Sequence, residues 1–179
     1  MRKSFETTEN SLFLTCPSGF MEPPVRKWFG GNSYFYTAVG AFFEWDDTTQ
    51  YNVVSFLRRR QISEIHFVGN IDNPLYSGLL SDSDIVLRQS WEKQLSQGYA
   101  DLKSVTNVLL DTKMKTQLLL ASHLARQIQR LSESTILGQY ITKNAICINA
   151  FVYDPDDDSF FHEVEVRRRA EILQGICCN

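Results

Sequence analysis

The side chains able to do chemistry are few and scattered. Cys16 closes an apolar run and is followed by Pro17, Ser18 and Gly19. A thiol at the end of a strand, just before a helix, sits where the thiolate is favoured. A cysteine nucleophile also needs a positioned base, and none is apparent in the local sequence. Cys16 therefore reads first as a small buried residue, with nucleophilic chemistry as the other reading. The histidines His66, His123 and His162 and the cysteines Cys16, Cys147, Cys177 and Cys178 form no His-x-x-x-His or Cys-x-x-Cys spacing of the kind that holds zinc. Asp154, Asp156, Asp158 and Glu165 fall on positions 1, 3, 5 and 12 of a calcium loop, but Ser159 takes the glycine position and strands flank it. A solvated hairpin turn accounts for them. Arg58–Arg60 reads as a helix end, where cations are favoured, and Arg167–Arg169 as a surface face. An anion or partner contact is the alternative for both. Gly30 and Gly31 lack the spacing of a phosphate loop.

Such residues need a scaffold, and the composition supplies one. The chain has 179 residues, 43% hydrophobic, 22% charged and 12% aromatic. That is one domain with enough length to bury a core, and it is not a disordered or low-complexity composition. Lys plus Arg number 18 against 21 Asp plus Glu, for a net charge of −3. No basic excess points to nucleic acid. No apolar run approaches the ~20 residues of a membrane span. Met1 to Asn10 is polar and unlike a signal peptide. Four cysteines without an export signal suggest a reducing compartment, so a cytoplasmic location is expected.

Short apolar runs alternate with amphipathic stretches. Ser11 to Thr15 reads as a buried strand and Met21 to Trp28 as a short helix, its prolines tolerated in the first turn. Ser33 to Val39 is rich in strand formers. Asp46 to Thr49 caps a helix running to about Arg60, with Val53, Val54, Phe56 and Leu57 on one broad face. Ile65 to Val68 is a third strand, ended by Gly69. Ser81 to Asp84 caps a further helix anchored by Ile85, Leu87, Trp91 and Leu95. Thr112 to Ser134 carries Leu120, Leu124, Ile128 and Leu131 at helical spacing, leaving Arg126, Gln127 and Arg130 on the wet side. Ala145 to Tyr153 is a fourth strand, and Phe160 to Val166 returns beside it as a hairpin partner. This order predicts an α/β fold: a mostly parallel sheet flanked by helices, with a C-terminal antiparallel edge hairpin. Ligands of such sheets sit at the carboxyl ends of the strands. Those ends are Cys16 to Phe20, Val39 to Phe42 and Gly69 to Asn73.

At those loops the sequence resembles the β-class carbonic anhydrases. The family's first strand ends in Cys-x-Asp-x-Arg; here Cys16-Pro17-Ser18-Gly19-Phe20 stands in that place. The family's next strand opens with Gly-Asp and closes near Arg-Asn-Ala-Gly, matched by Gly31-Asn32 and Thr37-Ala38-Val39-Gly40. Its Glu-Ile-x-x-Val-Gly-His-x-Asp-Cys-Gly strand is matched by Glu64-Ile65-His66-Phe67-Val68-Gly69-Asn70-Ile71-Asp72-Asn73-Pro74. Ser122 to Leu131 looks like the late helix, and Phe151 to Asp154 like the Gly-x-x-Tyr-Asp turn. The similarity spans about residues 11–166, in order.

The resemblance implies that zinc ligands would lie at Cys16, Asn70 and Asn73. Only the first keeps its family residue type, and a neutral amide is a poor zinc donor. The family's Asp-Arg pair falls on Ser18 and Phe20. Without zinc, nothing lowers the pKa of water toward ~7. The expectation is thus a catalytically inactive, zinc-free relative with a binding, regulatory or structural role. Its remnant pocket would involve Cys16, Ser18, Gly40, Asn70, Asp72 and Asn73, with no catalytic residue and no cofactor. The resemblance also implies a homodimer, to which the aromatic group from Trp28 to Trp45 would contribute along with the core; a partner such as an active homologue is a further alternative. Neither a membrane nor nucleic acid is expected as a partner. An enzyme of altered chemistry using Cys16 or an unforeseen metal is the second reading, and true carbon dioxide hydration the third, disfavoured by Asn70 and Asn73.

Overall fold

A computed structural model of the chain describes residues 9–80, 93 and 111–165. Among them, five strands form one sheet: β1 Asn10–Thr15, β2 Ser33–Thr37, β3 Ile62–Asn70, β4 Cys147–Asp154 and β5 Ser159–Glu165. The spatial order is β2-β1-β3-β4-β5. The pairs β1–β2, β1–β3 and β3–β4 are parallel, and β4–β5 is an antiparallel hairpin. The chain runs outward from β1 to β2, then crosses back over β1 to β3. The direction of winding therefore reverses between β1 and β3, and the gap at their carboxyl ends is the topological switch point.

Five helices complete the described fold: α1 Glu22–Phe29, α2 Asp47–Arg60, α3 Pro74–Leu80, α4 Thr112–Glu133 and α5 Leu137–Lys143. Strand alternation sorts the core into two layers. On one face Leu12, Leu14, Ile65, Phe67, Ile148, Ala150 and Val152 pack with side chains of α2, α3, α4 and α5. On the other, Phe13, Val68 and Phe151 pack with Met21, with Val25, Trp28 and Phe29 of α1 and with Phe160 of β5. His66 lies on this second face, 2% exposed, its ring 4.9 Å from that of Phe13 and 5.5 Å from that of Phe151. Its Nε2 lies 3.2 Å from the Glu64 carboxylate, which it and Ser11 hold below the usual carboxylate range. His66 is thus a packed core histidine.

Local chemistry sets the helix ends. Asp46 caps α2 by accepting from the Thr49 N–H at 2.9 Å, and Asp111 caps α4 by accepting from Met114 at 2.8 Å. Gln61 ends α2 in the left-handed conformation, donating to the Arg58 and Leu57 carbonyls. The expected strands and long helices recur with shifted bounds. Val53 and Leu57 are buried, while Val54 and Phe56 are half-buried. β2 stops at Thr37, because Ala38 leads into a tight turn over Val39–Ala41.

Two expectations are corrected. Gly69 does not end β3; the strand runs on to Asn70, and a Cβ at Gly69 would lie 2.5 Å from Leu120 Cδ1 of α4. The glycine is there because the helix lies close on the sheet. Gln127 does not face water: it is 2% exposed, and its Oε1 accepts from the Phe43 N–H at 3.1 Å. Helices α3 and α5 follow no strong periodic signal and were not anticipated. The helix expected after Ser81–Asp84, the Arg167–Arg169 run, Cys177 and Cys178 lie outside the described residues.

Gly69→Ala is expected to destabilise the fold by about 1–3 kcal/mol through overpacking against Leu120. Chemical denaturation of Gly69→Ala, Leu120→Val and the double variant checks this. The double variant should lose less than the sum of the two, since the added methyl and the removed one meet.

Candidate functional site

The carboxyl ends of β1 and β3 deliver their side chains to one place. β1 ends at Thr15, so Cys16 is the first residue beyond it. A single 3-10 turn, Pro17–Gly19, then reverses the chain. Cys16 is 2% exposed. Its Sγ accepts from the Gly40 N–H at 3.2 Å and lies 2.9 Å from Ser18 Oγ. Ser18 in turn donates to Asn73 Oδ1 at 3.0 Å. With its one proton spent on Asn73, Ser18 can only accept at the sulfur contact, so Cys16 donates there as a thiol. The order is a relay of neutral groups from Cys16 to Ser18 to Asn73.

Gly40 is where the surrounding elements meet. It has φ 66°, a left-handed conformation open to glycine at little cost. This points its N–H at Cys16, while its carbonyl accepts from Tyr76 Oη at 3.1 Å and from His123 Nε2 at 2.9 Å. Tyr76 of α3 is fully buried and His123 of α4 is 5% exposed. Burial, and then the nearby Cys16 sulfur, push the Tyr76 phenol far above its ordinary value, so it stays a donor. Burial pushes His123 down to about 4; its hydrogen bonds to Ala41 and Gly40 oppose that shift, and Arg126 and Arg130 add to it. His123 is therefore a neutral imidazole at pH 7 with its proton on Nε2. Neither Tyr76 nor His123 stood out in the sequence as a site residue. An isolated histidine on a helix is no more than a core histidine until its partners are known.

Asn70 and Asn73 are both engaged. Asn70 donates from Nδ2 to the Gly19 carbonyl at 3.1 Å and accepts at Oδ1 from the Asp72 N–H at 2.9 Å. Asn73 Oδ1 accepts from Ser18 and also from the Leu75 N–H at 3.1 Å, in the first turn of α3. Asn73 is 1% exposed, and among the described residues its Nδ2 has no hydrogen-bond partner. Asp72 is exposed. The structure thus brings Cys16, Ser18, Gly40, Asn70 and Asn73 together, with Asp72 at the rim. Phe20 departs from the group: it is 81% exposed, at φ 49°.

These side chains do not fit zinc. Zinc takes thiolate, imidazole or carboxylate donors, and only Cys16 is one of these. Both amide oxygens already accept N–H or O–H donors, which marks them as acceptors within the protein. Among the described residues, no group of three or more His, Cys, Asp or Glu side chains could hold a metal ion. The calcium-like run is held otherwise: Lys113 Nζ lies 2.8 Å from both Asp154 and Asp156, and Asp158 pairs with Lys27. These lysines answer the carboxylates of a hairpin turn.

His123 generates a pH dependence. Its folded-state pKa is depressed, so the unfolded chain takes up the proton first. Stability is expected to fall as pH drops from about 6.5 to about 4, by at most about 3 kcal/mol. Urea denaturation across that range, compared with His123→Gln, checks it: the variant should lose this part of the slope.

No protein-family model matches the chain, and no curated relative does. Solved structures do. The β-carbonic anhydrase CafA of Aspergillus fumigatus superposes with a TM-score of 0.72 at 12% identity, covering 93% of this chain and 80% of that one. A tetrameric β-carbonic anhydrase of Sordaria macrospora gives 0.72 at 13% identity, covering 87% and 81%. Wild-type CafD of A. fumigatus gives 0.66 at 18% identity, covering 89% and 91%. With its mostly parallel sheet, flanking helices and antiparallel β4–β5 edge, this chain has the fold of the β-carbonic anhydrases.

Proposed function

We propose that the protein is a carbonic-anhydrase-fold relative that holds no zinc and does not hydrate carbon dioxide. It serves instead as a binding, regulatory or structural protein, in the cytoplasm. The observation that carries this reading is the state of Asn70 and Asn73. They stand where the resemblance would put two zinc ligands, yet their oxygens accept hydrogen bonds from Asp72, Ser18 and Leu75. A donor set of one thiol and two hydrogen-bonded amides gives a metal no charge to offset loss of its water. Ser18 and Phe20 add nothing in compensation. Ser18 spends its proton on Asn73, and Phe20 points an apolar ring outward.

The test is metal content per chain on untagged protein, with carbon dioxide hydration assayed on the same sample. Zinc below about a tenth of an equivalent, and no hydration above buffer, are expected. Near one equivalent of zinc sinks the reading, because Cys16 would then have co-ligands other than Asn70 and Asn73.

A homodimer belongs to the same proposal. The S. macrospora enzymes are described as tetrameric. Here Phe20 and Val39, in the turns that follow β1 and β2, are 81% and 53% exposed, and Tyr36 of the edge strand β2 is 37% exposed. Exposed apolar side chains of this kind favour an interface. Half of the aromatic group is core, however: Trp28, Phe29, Phe42 and Phe43 are buried. Sedimentation should give twice the 20.6 kDa chain mass, with Phe20→Ser plus Val39→Ser shifting it toward monomer. A monomeric parent protein overturns this part.

A further inference from the structure

The exposed stripe of α2 does not face open solvent throughout. Tyr51, Val54, Arg58 and Arg59 recur at helical spacing and line a groove of about 560 Å³ with Tyr140 and Lys143 of α5. That volume lies in the range of small-molecule sites. The two ends of the groove differ in character. Arg58 and Arg59 occupy the last turn of α2, and Lys143 ends α5, so three cations come together where two helices finish. Tyr51 is 63% exposed, and Val54 and Tyr140 are half-buried, which leaves an apolar wall beside the cations.

No carboxylate among the described residues lines the groove. Among the described residues, Arg58, Arg59 and Lys143 form no ion pair, although lysines elsewhere in this acidic chain do find aspartates. The helix termini account for part of this concentration of charge, since each favours cations. They do not account for two runs converging on one cavity without a counter-charge, because like charges around a groove repel. Arg58 is also held in place: its guanidinium stands 5.9 Å from the centre of the Tyr140 ring. A stacked arginine keeps its N–H fork free for a bidentate oxyanion.

We propose that this groove binds a phosphorylated small molecule bearing a flat ring, a nucleoside polyphosphate in chemical class. Arg58, Arg59 and Lys143 take the phosphates, and the ring lies on Tyr51 against Val54. The site is separate from the Cys16 cleft and does not rest on the absence of zinc.

The experiment is calorimetric titration of the full chain with ATP at low salt, beside tripolyphosphate and adenosine. ATP should bind, and each fragment should bind at least about tenfold more weakly, since each lacks one half of the contacts. Arg58→Gln and Lys143→Gln should each weaken ATP by about tenfold, the effect of losing one charged hydrogen bond, at an unchanged thermal midpoint. Added salt should weaken it further. No binding at millimolar ATP overturns the proposal. So does binding that both variants leave intact, or tripolyphosphate binding as tightly as ATP.

Discussion

The backbone of Gly40 is the constraint on which this molecule's centre depends. Its N–H faces the Cys16 sulfur, and its carbonyl, in the next peptide unit, faces two buried side chains. Those side chains come from α3 and α4, while Cys16 directly follows β1, so three separate parts of the chain are fixed on the two peptide planes that flank one Cα. Only a left-handed residue presents both groups this way, and glycine reaches that conformation without steric penalty. In a dry interior such bonds are strong, and leaving one unmade is costly. The depressed His123 pKa and the elevated Tyr76 pKa have the same origin: both groups have been taken out of water to serve that carbonyl.

The cleft built around Gly40 is a hydrogen-bond network of neutral groups. A catalytic cleft sets charged groups against each other so that one can give up a proton or hold a metal's water. Here the thiol, the hydroxyl and the Asn73 amide are linked in a row, and the Asn70 amide is taken up by the backbone of Gly19 and Asp72, with the Asn73 Nδ2 left over among the described residues. Such a network rigidifies the switch point. The two apolar layers and the Gly40 junction hold the fold together, and neither needs a metal.

Sequence reasoning reached much of this because parallel strands buried on both faces read as unbroken apolar runs, and because capping residues announce helices. Leu12 to Leu14, the Asp46 cap and the Leu120, Leu124, Ile128 and Leu131 stripe were legible for that reason. Residues whose role depends on a distant partner were not. Gln127 looks like a surface residue in its helix until Phe43 is placed against it. Gln50 is similar: its Oε1 accepts the Ile136 and Leu137 N–H groups and so caps α5 from 86 and 87 residues away. Gly69 read as a strand stop, because its partner, Leu120, is far along the chain.

By itself, then, the sequence determined the order of the strands and of the longer helices α2 and α4, the fold class and the residue types at the strand ends. These depend on local propensity, on the apolar period and on which atoms a side chain carries. A glutamine, glycine or tyrosine has no fixed meaning at that level. Tertiary structure alone decided that Tyr76 and His123 converge on the Gly40 carbonyl, that Ser18 links Cys16 to Asn73, and that the Arg58 and Lys143 ends share one groove. Each of these is a contact between segments far apart in the chain, and distance along a sequence carries no record of which segments the burial of apolar surface will bring together.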